Sequence, residues 1–152
     1  MNMVIGTSVG RLLLTIILVF LFFFLVAFLV YGGFSAVTGL KAPSGAPPLI
    51  FLSGVLVVKA GHSIAFVLLF YLAHASFTPR WPIYALIWWL MFVLGEIGQT
   101  IGFGYSAQEA VAGIISESMY FPVAAFVTSR LVGTKYADRR PKSLIKGSVQ
   151  SC

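Results

Sequence analysis

Residues 12–31 read LLLTIILVFLFFFLVAFLVY, and Thr15 is the one clearly polar side chain in the run. At 1.5 Å per residue, a helix of this length is about 30 Å long, the thickness of a bilayer's hydrocarbon core. Arg11 stands just before it, as a basic residue stands before a secretory signal. The apolar part of a signal is only about 7–15 residues, so the segment reads as a retained membrane anchor.

Working outward, the same reading repeats three times. Residues 32–48 are rich in Gly, Pro and Ser, and Pro43, Pro47 and Pro48 interrupt any helix. A second span is expected over 49–76, long enough to tilt or to project beyond the lipid. Thr78-Pro79-Arg80-Trp81-Pro82 makes a tight turn, with Pro82 suited to the first turn of a helix. A third span follows over 83–103, and Trp81, Tyr84, Trp88 and Trp89 gather near its start as interfacial aromatics do. Gly102-Phe103-Gly104-Tyr105 breaks it. Ser106 and Glu109 have the spacing of a capping box, in which the Ser oxygen accepts from a free backbone N–H and the Glu reaches back. The fourth span is expected over 107–132, with Gly133 as its stop.

The fold class is therefore an all-α integral membrane protein, a four-transmembrane-helix bundle. Residues 1–133 form the transmembrane domain and 134–152 a basic cytoplasmic tail. Composition agrees: 59% of the 152 residues are hydrophobic and 9% charged, against about 25% charged in soluble domains. The tail carries Pro141 and Gly147 and is expected to be weakly ordered.

The single cysteine, Cys152, permits no disulfide or thiolate metal site within one chain. It is the last residue, not fourth from the end as prenylation requires. The net charge of +6 does not point to nucleic acid, because the basic residues flank apolar spans. With four spans, Arg11, Arg80, Arg130, Lys135, Arg139, Arg140, Lys142 and Lys146 share one side, and Lys41 alone faces the other. That asymmetry puts both termini in the cytoplasm, with the chain in the cell or inner membrane. The basic tail also attracts anionic lipids, at about 1 kcal/mol per Lys or Arg near the surface.

Three charges lie inside the spans. Lys59 is about 15 Å below the outer end of span two, Glu96 about 14 Å below that of span three, and Glu117 about 12 Å below that of span four. Each costs about 2.5–3.5 kcal/mol at a helix centre if left alone. Opposite ions at one depth are expected to meet. His62 and Ser63 follow Lys59 at helical spacing, Gln99 and Thr100 follow Glu96, and Ser116, Ser118 and Tyr120 surround Glu117. Spans two, three and four are expected to turn inward around this layer, leaving span one to the lipid. Gly95, Gly98 and Gly102 on span three, and Gly54, Ala60 and Gly61 on span two, are expected to permit close helix approach. Pro122 removes one backbone hydrogen bond and frees the Ser118 carbonyl, next to Glu117.

Two functional readings follow. In the first, Lys59, His62, Glu96, Gln99, Glu117 and Tyr120 form a binding or proton-relay site for moving a small solute or a proton. Two acids facing one base leave one acid without a permanent counter-ion. In the second, the chain is a non-catalytic accessory or scaffold subunit whose buried ion pair fixes helix packing. It would then have a partner membrane subunit or associate with its own copies. An enzyme is the weaker class: His62 with Ser116 or Ser118 lacks the turn that a nucleophilic serine needs. His62 and His74 are about 18 Å apart along one helix, too far to share a metal. No redox, haem or nucleotide motif calls for a cofactor.

Overall fold

The computed structural model describes residues 5–39, 47–102 and 106–133. Five helices follow one another among them: α1 (Ile5–Thr38), α2 (Pro48–Leu72), the short α3 (His74–Phe77), α4 (Trp81–Gly102) and α5 (Ala107–Gly133). Four of these are long and apolar enough to cross a membrane. The basic tail and the segment holding Lys41 lie outside the described residues.

Element boundaries follow local chemistry. Pro48 stands in the first turn of α2, where its missing N–H costs nothing. The second expected span divides: α2 stops at Leu72, and Ala73 leaves the helical region before α3 adds one turn. The His74 ring packs its Nδ1 2.9 Å from the Tyr71 carbonyl at that break. The capping box forms at the start of α5. Ser106 N–H donates to Glu109 Oε2 at 2.8 Å, and Glu109 N–H donates to Ser106 Oγ at 3.2 Å. Pro122 lies inside α5, which continues through it, and its ring is exposed.

The long helices alternate in direction. Trp81 stacks edge-on against Phe126, Trp89 N–H donates to Ser118 Oγ at 2.9 Å, and Glu96 meets Gly113, so α4 and α5 are antiparallel. Tyr31 O–H reaches the Glu109 carbonyl at 3.4 Å while Phe23 packs on Tyr120 and Phe121, so α1 and α5 are antiparallel too. The start of α1 and the end of α5 therefore lie at one end of the bundle.

The packing departs from expectation in two ways. First, α1 is not a bystander. Thr15, Val19, Phe23, Val26 and Ala27 are buried, and α1 packs along both α5 and α2. The cause is α5, which carries Ser116, Glu117, Thr128 and Ser129 as buried polar residues. Buried polar groups need neighbours that shield and satisfy them, and α1 supplies one of the covers of α5. Second, the glycines of α2 and α4 do not mediate internal packing. A methyl group added at Gly54, Gly61, Gly95, Gly98 or Gly102 would meet nothing within 4 Å. Close approach comes instead from α5, through Ala110, Ala112, Gly113, Ala124 and Ala125.

An aromatic cluster forms the body of the core. Phe66 of α2 contacts Phe23, Tyr84, Trp88 and Phe121, joining all four long helices. The Tyr84 hydroxyl donates to the Phe66 carbonyl, satisfying the one polar atom it brings inside. This cluster floors the polar layer that lies toward the other end of the bundle.

Candidate functional site

Helical spacing puts Gly113, Glu117 and Tyr120 on one stripe of α5, four and three residues apart. Glu117 is 2% exposed and Tyr120 1% exposed. α2 brings Lys59 to this stripe. Its Nζ donates to the Tyr120 hydroxyl at 3.2 Å and stands 4.9 Å from the centre of the same ring. The phenol thus serves the ammonium twice, through its oxygen and its π-face. One turn on, Ser63 Oγ donates to the Lys59 carbonyl at 2.7 Å.

α4 brings Glu96 to the stripe from the other side. Its carboxyl group lies directly over Gly113. A Cβ at that position would fall 2.6 Å from Glu96 Cδ and 2.8 and 2.9 Å from its two oxygens. No side chain larger than hydrogen fits there without displacing the acid. The Gly113 carbonyl accepts from the buried Ser116 hydroxyl at 2.8 Å.

The charges sense one another through space. Lys59, Glu117 and Glu96 lie within electrostatic reach of one another. The hydrogen bond of Lys59 nevertheless goes to the phenol. Glu117 Oε2 is buried with no hydrogen-bond donor among the described residues. An acceptor of that kind is costly unless a proton or another ligand reaches it.

The remaining expected members are placed differently. His62 is half-buried, its ring edge-on to Phe92 at 4.5 Å, and it feels the charge of Lys59. Gln99 is exposed on α4. Ser118 belongs to the α4–α5 contact, accepting from Trp89 and donating to the Ile114 carbonyl. Among the described residues, no three His, Cys, Asp or Glu side chains gather as a metal shell would need. Sequence reasoning missed Gly113. The signal was present, since a glycine one helical turn before a buried acid leaves room for a second side chain on the same face.

The arrangement can bind and release a proton, or hold a small charged group, between one base and two acids. No protein-family model, curated protein or solved structure matches this chain.

Proposed function

We propose that the chain is a multi-pass membrane protein, with both termini cytoplasmic, that moves a proton or a small solute by way of the Lys59–Glu96–Glu117–Tyr120 cluster. The observation that carries this reading is Glu117, a buried carboxyl group with a donorless oxygen while the neighbouring ammonium hydrogen-bonds elsewhere. Ionisable groups inside membrane helices mark pathways and relays far more often than they serve as filler. His62, half-buried and one turn past Lys59 toward the cytoplasmic end of α2, is the proposed link toward the inner surface. The test is flux in proteoliposomes containing the purified chain and a trapped pH dye, under an imposed potential. The expected result is proton entry that falls at least tenfold in Glu117→Gln. Wild-type vesicles no leakier than empty ones, to protons or to a panel of small ions, would remove the reading.

A second reading is favoured by one specific observation. Gly95, Gly98 and Gly102 line a surface of α4 that nothing among the described residues approaches within 4 Å of an added methyl, and exposed Gln99 lies among them. Small residues with a nearby amide suit a further helix packing against that face. The chain would then be an accessory subunit, or one copy of an oligomer. Gly98→Leu should leave the monomer folded and reduce cross-linking to a neighbour in native membranes. Unchanged cross-linking would count against a partner there.

A further inference from the structure

Glu96 and Glu117 come from different helices, yet the Glu96 carboxyl group rests on Gly113, one helical turn before Glu117. We infer that these two carboxyl groups hold a single proton between them, and that Gly113 is the positioning residue that makes the pair. The inference rests on the reading of the cluster as a proton site and specifies what that site binds.

Three observations carry it. The first is proximity by construction. Residues four apart on a helix have neighbouring side chains, about 5–6 Å between their Cβ atoms. An acid seated on position 113 is therefore a neighbour of the acid at 117. The second is Glu117 Oε2, a buried oxygen with no hydrogen-bond donor among the described residues, on a residue only 2% exposed. A proton on one acid gives the other the donor that the described residues lack. The third is charge. Lys59 of α2 and Tyr120 of α5 each lie within electrostatic reach of both acids, His62 acts on Lys59, and Tyr31 of α1 acts on Tyr120 through space. One ammonium, that of Lys59, acts on two carboxyl groups that also act on each other. Two carboxylates this close do not both ionise readily, and a shared proton relieves them.

Packing also selects the ligand. The Glu96 carboxyl group already fills the space over Gly113. A hydrated ion needs room for its own oxygen shell, whereas a proton needs none. The step is a plain acid–base exchange: one O–H bond forms on a carboxylate oxygen as the proton arrives and breaks as it leaves.

The experiment is infrared spectroscopy of the full-length chain in lipid at neutral pH, following the carbonyl band of a protonated carboxyl group. The wild type should show one such group per chain. Glu96→Gln and Glu117→Gln should each abolish it, because the surviving carboxylate is then balanced by Lys59. A band that persists at full intensity in Glu96→Gln would assign the proton to Glu117 alone, overturning the shared pair while leaving a proton site. A wild type with no protonated carboxyl band would remove both. Gly113→Ala provides a check that keeps both acids in the chain and displaces one of them. With helicity unchanged, it should shift the band or split it, and an unaltered band would refute the positioning role. Where a Gln variant fails to accumulate, Gly113→Ala and Gly113→Ser decide the matter.

Discussion

At Lys59 the ammonium is fixed by a phenol, with the two acids acting on it across space. Removing the charge with Lys59→Met leaves the two acids without the cation that acts on them. Breaking a buried ionic group in this way costs about 3–5 kcal/mol, enough to lower accumulation of the folded chain severalfold. Adding Glu117→Gln or Glu96→Gln should restore it, since each removes one of the two acids that act on Lys59. Quantifying folded protein in membranes for the two double variants checks this, and equal failure of both would break the link. Tyr120→Phe keeps the ring and removes the hydroxyl. The ammonium retains its π-face contact, so the expected loss is about 1–2 kcal/mol, that of one charge-assisted hydrogen bond. A variant as stable as the wild type in detergent unfolding would show that Lys59 finds its support elsewhere.

Among the elements, α5 organises the rest. It is the most buried of the four spans and carries most of the buried polar side chains. Its start is set by the Ser106–Glu109 box, which was legible from residue spacing alone. Ser106→Ala should lower stability by about 1 kcal/mol and loosen the Tyr31 contact one turn away. Hydrogen exchange confined to the first turn of α5 would register it, and unchanged exchange would deny the cap any role. The fate of α1 could not be read in the same way. Its run of Leu and Phe is apolar on every side, so periodicity gives no sign of which face packs. The glycines of α2 and α4 misled for a related reason. Glycine permits close approach wherever it occurs, but only the partner's position decides whether the permission is used.

For the whole molecule, Phe23 ties α1 to α2 and α5 through Phe66, Tyr120 and Phe121. Phe23→Ala should cost on the order of 2 kcal/mol, the cavity part of a core truncation, because lipid leaves little transfer energy to lose. The polar layer above it should loosen as well, so proton flux and stability should fall together. Stability that falls while flux holds would separate the core from the site. Topology has a built-in probe in Cys152, the one thiol of the chain. A membrane-impermeant maleimide should label it in inverted vesicles and not in right-side-out ones. The reverse pattern would invert the proposed orientation.

The amino-acid order alone determined four helices long and apolar enough to cross a membrane, the break between the second and the third, and the presence of Lys59, Glu96 and Glu117 within them. These are local properties, fixed by run length, by Pro and Gly, and by a rise of 1.5 Å per residue. Only the tertiary structure decided which faces meet. It brought the Glu96 carboxyl group onto Gly113, gave Lys59 to Tyr120, set Gln99 outside and drew α1 into the core. The reason is that rotation of one helix about its axis, relative to its neighbours, is not encoded in any single segment. It is set by the joint requirement that Ser116, Glu117, Thr128 and Ser129 of α5 be covered, and that requirement exists only when the helices are together.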